Sequence, residues 1–189
     1  MPHIHTQPGQ HDLTVSAYIV RQEGSGWKGL VHMHKKMQKL LQVGGHVELT
    51  ETPWQSLEHE LREECGYALT ELTLLQPNAV SFISPHYVVH PQPMVVMTHK
   101  VNENHYHTDI AYGFVAEYAP SQLPHAGEST DIRWLSLEQM QLAHERGEMI
   151  EDVYDSYKVL IQQCIGVYVR VSTTEFSLEL PHMLPFEQV

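Results

Sequence analysis

Cations are scarce in this sequence. Lys and Arg number 11 against 23 Asp and Glu, a formal net charge of −12. That deficit argues against a nucleic-acid polymer or an anionic membrane as partner, since both need basic patches. A single nucleotide remains admissible, because a bound metal ion inverts the local field. Cysteine is nearly absent. Cys65 and Cys164 form neither a disulfide framework nor a metal-ligand pair, so a reducing, cytoplasmic setting is expected. No apolar run approaches the roughly 18 residues of a membrane span. The opening MPHIHTQPGQH lacks a basic segment followed by an apolar run, so no signal peptide is expected. A Gly-rich phosphate loop ending in Lys-Ser/Thr is missing, and so is a G-x-S-x-G elbow. No repeat, low-complexity tract or linker divides the chain.

What is present fits an ordinary globular protein. A length of 189 residues and a hydrophobic share of 42% predict one domain, 1–189, with a real core. Residues 1–11 read as a loosely docked arm. Strands are expected over Leu13–Gln22, Trp27–His32, Lys39–Val43, Leu69–Leu75, Ala79–Ile83, Tyr87–His90, Met94–Val101, His105–Tyr118 and Asp131–Leu135. Helices are expected over Leu137–Glu145, capped by Ser136, and over Ile150–Ile165. Val167–Val171 reads as a strand or a helix extension. Strands, one helix, more strands and closing helices make a mixed α/β order.

The chain turns on Gly44–Tyr67, GGHVELTETPWQSLEHELREECGY. It reads as a loop leading into a short acidic helix. Thr52 suits the N-cap, Pro53 the first helical position, and Gln55 completes a capping box. Gly66 suits the left-handed residue that ends a helix. Trp54, Leu57, Leu61 and Cys65 form an apolar stripe at spacings of three and four. Glu60, Glu63 and Glu64 lie off it and crowd one patch. Like charges so placed destabilise a helix unless a cation sits among them. Mg²⁺, held by carboxylates and substrate phosphates, is the natural guest; the other reading is a solvated acidic face.

This segment resembles the Nudix box, GX5EX7REUXEEXGU, where U is a bulky apolar residue. Gly45 is its first Gly, Glu51 its isolated Glu, and Glu60, Leu61, Glu63, Glu64 and Gly66 match its core. His59 stands in place of the usual Arg, and Tyr67 in place of an aliphatic residue. The resemblance implies a Nudix-like α/β/α sandwich around a central mixed sheet. Its core would span about 12–165, with 166–189 an extension. It implies Glu60 and Glu64 as main metal ligands, Glu63 assisting, and an oxygen from the Gly44 carbonyl, with Mg²⁺ or Mn²⁺ as the ion. The catalytic set would be Glu60, Glu63 and Glu64, with Glu63 or Glu60 as base. Gly45, Glu51, His59 and Gly66 would support the box, Glu51 by pairing with a protonated His59. Outside the box, a loop glutamate, Glu128, is a candidate to complete the metal set; Glu103, Asp109 and Glu117 compete.

His105-x-His107-x-Asp109 lies on an expected strand, where period two points all three side chains to one face. They could contact a phosphate or base, hold Zn²⁺, or be a solvated face. His46 and Glu48 are expected at the mouth of the box. Trp27, Phe82 and Tyr112 are candidates to stack on a base, or core aromatics. Arg62 neutralises neighbouring acids or lies on the surface.

The leading expectation is a metal-dependent pyrophosphohydrolase acting on a nucleoside diphosphate linked to another group. The alternative is a Nudix-fold module that binds a nucleotide without cleaving it. A zinc hydrolase built on His105, His107 and Asp109 is a third reading. Dimers are frequent among the proteins the sequence resembles, so a homodimer is compatible.

Overall fold

Two long strands, rich in β-branched and aromatic residues, set the architecture. β1 (Gln10–Glu23) and β7 (His105–Ala116) run parallel, from Gln10 opposite His105 to Val20 opposite Val115. Each is long enough to take two partners in tandem along its outer edge. β1 pairs with β4 (Val43–His46) over Thr14–Ala17, then with β2 (Gly26–His34) over Val20–Glu23. β7 pairs with β6 (Val95–Asn102) along its first half and with β5 (Leu72–Gln76) along its second. β3 (Lys39–Leu41) and β8 (Ile132–Ser136) flank β2, and β9 (Val169–Ser172) closes the edge beyond β5. The computed structural model describes residues 10–79, 84 and 86–180. Among these the nine strands form one mixed sheet, in which β1 and β7 are the parallel pair.

Both faces are covered. α1 (Pro53–Glu60) and the π-helical turn that continues it, Leu61–Cys65, cover one. There Trp54, Leu57, Leu61 and Cys65 meet Val15, Ala17, Ile19, Tyr112 and Phe114. α2 (Leu137–Glu145) and α3 (Glu151–Val159) cover the other, where Met140, Val153, Tyr157 and Leu160 meet Tyr18, Val20 and Val115. The result is an α/β/α sandwich around a mixed sheet, as expected. The Tyr157 hydroxyl anchors α3 by donating to the Leu30 carbonyl.

Local chemistry set the helix ends as the sequence implied. The Thr52 hydroxyl accepts from Gln55 N–H at 3.3 Å, and the Gln55 side chain accepts from Thr52 N–H at 2.7 Å. Ser136 and Gln139 repeat the arrangement on α2. Gly66 ends the box helix at φ 77°. A Cβ there would lie 2.2 Å from the Gln122 carbonyl oxygen. Gly66→Ala is therefore expected to cost about 2 kcal/mol or more, from left-handed strain plus that clash. A fall in the urea midpoint at unchanged m-value would show it.

Several expectations need correcting. β1 begins at Gln10, inside the stretch read as an arm. The stretch Lys39–Val43 splits into two strands, and Gly44 and Gly45 lie on β4, paired to Ser16 and Val15, rather than in a loop. Residues 86–90 form no strand. Leu69–Glu71 is a 3₁₀ turn before β5. The helix expected over Ile150–Ile165 is α only to Val159, then widens into a π turn, Leu160–Cys164. The strand expected at 79–83, with Phe82, lies outside the described residues, apart from Ala79.

Among the described residues after Ile165, 169–178 pack against the sheet and α1. β9 pairs with β5, and the Thr173 hydroxyl donates to the Leu69 carbonyl at 2.8 Å. Phe176 is buried edge-on against Trp54, with ring centroids 6.0 Å apart. Gln55 donates to the Leu178 carbonyl, tying the tail to the first turn of α1.

Candidate active site

The apolar stripe of α1 faces the sheet, so the opposite residues carry the polar chemistry. Glu64 and Glu60 are both only 6% exposed, although each carries a carboxylate. The Glu64 carboxylate accepts from the Gly44 N–H at 2.9 Å. Strand β4 thus delivers the first Gly of the pair directly onto the helix. The space there is tight: a Cβ at Gly44 would sit 2.2 Å from the Val15 carbonyl. Behind Glu64 lies the buried His32, whose Nε2 is 3.5 Å from the carboxylate and 3.2 Å from the Gln42 carbonyl. Burial and the neighbouring His34 hold His32 down to about 4, so it is neutral at pH 7.

The electrostatics here fit a bound cation. Burial, then Glu63, push the Glu60 carboxyl up to about 7. Burial, then Glu60, push Glu64 well above the usual carboxylate range, against the lowering effect of the Gly44 N–H. Glu128 raises both, so the loop after β7 brings that residue close to the box. Among the described residues neither Glu60 nor Glu64 has a Lys or Arg ion-pair partner. Buried like charges with oxygen donors and no cation fit a hard divalent ion. The residues present therefore suit the metal that the sequence pattern implies.

Glu63 is placed differently from its neighbours, with its side chain 34% exposed. His59 bridges it to Glu51: Nε2 lies 3.2 Å from Glu63, and Nδ1 lies 3.4 Å from Glu51. Partial burial works to lower the His59 pKa, but the Glu63, Glu51 and Glu60 carboxylates outweigh it and raise the value overall. Glu51 also accepts from the buried Ser56 hydroxyl at 2.8 Å, and that hydroxyl accepts from Glu48 N–H. Loop and helix are thereby stitched together. His59→Ala is expected to lower turnover about tenfold or more by releasing Glu63, as removal of a positioning contact does. His59→Arg should retain activity, since a guanidinium can bridge the same two acids. Parallel kcat measurements on the two variants check this.

The loop that carries Glu128 also reaches the C-terminal end of the box through His125, a residue the sequence pattern did not single out. The His125 N–H donates to the Glu63 carbonyl at 2.9 Å, and its Nδ1 lies 3.3 Å from the Glu63 carboxylate. Lys35 holds the loop from the other side through the Gly127 carbonyl. Arg62 faces away and pairs with Glu58 at 2.6 Å, a surface i,i+4 contact. Trp27 packs on the second core and Tyr112 is buried beneath Trp54; neither is placed to stack on a base.

His105, His107 and Asp109 share a face of β7, but Asp109 is bonded to β1 and stands apart from the two imidazoles. Asp109 accepts from Thr14 Oγ1 at 2.8 Å and from Ser16 Oγ at 3.0 Å. Ser16 in turn accepts from Gln42 Nε2 at 2.9 Å. Asp109 is thus a buried anchor between β1 and β7. Asp12 takes the place beside the imidazoles. Its Oδ2 lies 3.2 Å from His105 Nε2 and 3.4 Å from His46 Nε2. His46 is drawn to this cluster, although it follows the glycine pair by one residue.

Comparison with known proteins accords with this arrangement. A family model described as the NUDIX domain matches residues 10–153. A NUDIX-family hydrolase from Clostridium perfringens superposes with TM-score 0.62 at 28% identity, covering 79% of this chain and 95% of that one. An Ap4A hydrolase from C. elegans, in a binary complex, gives TM-score 0.56 at 15% identity, covering 79% and 92%. The NUDIX domain of Shewanella oneidensis NrtR, complexed with ADP ribose, gives 0.54 at 13%, covering 79% and 85%. A search of curated protein sequences finds no match. The family model spans well over half of the chain, and the match runs through both central strands and the acidic helix: the chain belongs to the NUDIX family.

Proposed function

We propose that the protein is a divalent-metal-dependent pyrophosphohydrolase acting on a nucleoside diphosphate linked to a further group. One observation carries the reading: two nearly buried carboxylates, Glu60 and Glu64, face each other's charge without a Lys or Arg partner among the described residues. A protein that only bound nucleotide would gain nothing from that costly pair. Glu60 and Glu64 would hold Mg²⁺ or Mn²⁺, assisted by Glu63, the Gly44 carbonyl and Glu128. When bound, the ion neutralises phosphate charge and makes an attacking water more acidic.

This chain's own groups do the rest. Gly44 N–H fixes one oxygen of Glu64, so the carboxylate is oriented before substrate arrives. Glu63 stands at the mouth and takes the proton of the attacking water. His59 and His125 beside it hold that carboxylate in place, and bulk water takes the proton onward. The new bond joins the water oxygen to phosphorus, and the bridging P–O bond breaks. Its electrons leave with the departing phosphate group.

The second reading is a nucleotide-binding module, favoured by His59 in place of Arg and by the ADP-ribose complex of a structural relative. A panel separates the two. Nucleoside triphosphates, ADP-ribose, dinucleoside polyphosphates and nucleotide sugars are incubated with Mg²⁺ or Mn²⁺, and the products are resolved by chromatography. Turnover on one class establishes the hydrolase. No turnover, with nucleotide still raising Tm, establishes the module.

A further inference from the structure

A second group of donors lies outside the box carboxylates, and strand register explains how it forms. Residues directly opposite in a sheet share a face. Asp12 stands opposite His107 across β1 and β7, and His107 stands opposite His99 across β7 and β6. His46 stands opposite Thr14, one step along β1 from Asp12 on the same face. Period two adds His105. One carboxylate and four imidazoles thus converge where strands β1, β4, β6 and β7 come together.

Their donor atoms lie close enough to converge on one ion. Donor atoms of Asp12, His105 and His107 lie within 4.8 Å of one another. His105 Nε2 and His46 Nε2 both approach Asp12 Oδ2, at 3.2 and 3.4 Å. A tetrahedral ion with bonds of about 2.0–2.1 Å places its ligands about 3.3 Å apart. The imidazole of His107 lies edge-on to both His46 and His105, with centroids 4.9 and 5.0 Å away. Asp12 and His105 are buried, so the arrangement is held by the fold and not by surface chance.

We propose that Asp12, His105 and His107 form a binding site for a Zn²⁺-class divalent cation, separate from the box carboxylates, with a water completing the shell and His46 beside Asp12. The donor set decides the class. Imidazole nitrogens with one carboxylate suit Zn²⁺ and its borderline neighbours, whereas the all-oxygen box suits Mg²⁺. The ion would tie β1 and β7 together at the end of the sheet where β1 begins.

The test uses the untagged full chain, incubated with Zn²⁺ in excess Mg²⁺, desalted, and assayed by elemental analysis. A Co²⁺-loaded sample gives the ligand-field spectrum. We expect stoichiometric Zn²⁺ in the wild type and in Glu64→Gln, and tetrahedral Co²⁺ absorption. We expect loss of both in His107→Ala and in His105→Ala. Because His105 is buried, His107→Ala, checked by circular dichroism, keeps the test valid if the other variant fails to fold. A His3→Ala/His5→Ala variant controls for the imidazoles near the N-terminus and should retain the ion. No retained ion, retention unchanged in His107→Ala, or loss in Glu64→Gln or in the His3/His5 variant overturns the proposal. So does an ion-free protein in which His107→Ala only raises KM for nucleotide, since the cluster would then be a substrate contact.

Discussion

Glu64→Gln is expected to lower kcat by about a thousandfold, the scale of removing an electrostatic contact made at the reacting centre. It should do so without damaging the fold. Gln keeps the volume and can still accept from the Gly44 N–H, which now holds the carboxylate at 2.9 Å. The sign of the stability change is the sharper signature. Burial and Glu60 disfavour the ionised form of Glu64 in the folded protein. Removing its charge relieves that penalty, so the metal-free variant should melt at the same temperature as the wild type or higher. Added Mg²⁺ or Mn²⁺ should raise the wild-type Tm by mass action and leave the variant nearly unmoved. A residue needed only for structure would show the reverse: a lower Tm and an unchanged response to metal. Thermal melts with and without metal, beside initial rates, read all three quantities.

Trp54→Ala carries the second large effect, on stability. Trp54 is fully buried at the start of the box helix. Its ring lies 5.3 Å from Tyr112, 6.2 Å from Phe114 and 6.0 Å from Phe176. It therefore joins the helix to β7 on one side and to the tail on the other. Truncation leaves a cavity that three aromatic rings cannot all collapse to fill. The expected cost is about 3–5 kcal/mol, or a Tm fall of roughly 10 °C. Trp54→Phe, which keeps most of the packing, should lose well under half of that. Denaturant melts of the two variants distinguish a packing anchor from a residue that merely occupies space.

The box helix was legible in the sequence because its determinants are local. Thr52, Pro53 and Gln55 fix its start within four residues, Gly66 fixes its end, and Trp54, Leu57 and Leu61 fix which face turns inward. Most strand stretches were legible too, from β-branched runs and their punctuation, although 86–90 form none and Lys39–Val43 splits in two. What escaped depends on contacts far apart in the chain. Nothing near Asp109 announces that Thr14 and Ser16 will claim its carboxylate, and nothing near Asp12 announces His105. Those follow only from the parallel register of β1 with β7, which hydrophobic alternation cannot set. His125 escaped because it acts through a loop, by donating its N–H to a Glu63 carbonyl in the widened π turn. Ser56 escaped because a serine within an acidic helix looks like surface, whereas here it is buried and ties Glu51 and Glu48 to α1. Phe176 escaped because its partner, Trp54, is distant in sequence.

The central claim is that the box carboxylates work through a divalent ion. The most direct test follows hydrolysis of the best panel substrate after chelation, then after add-back of Mg²⁺ alone. Chelation is expected to abolish turnover and Mg²⁺ to restore it without added Zn²⁺, because Glu60 and Glu64 would hold the catalytic ion. Turnover that persists in the chelated protein would contradict it.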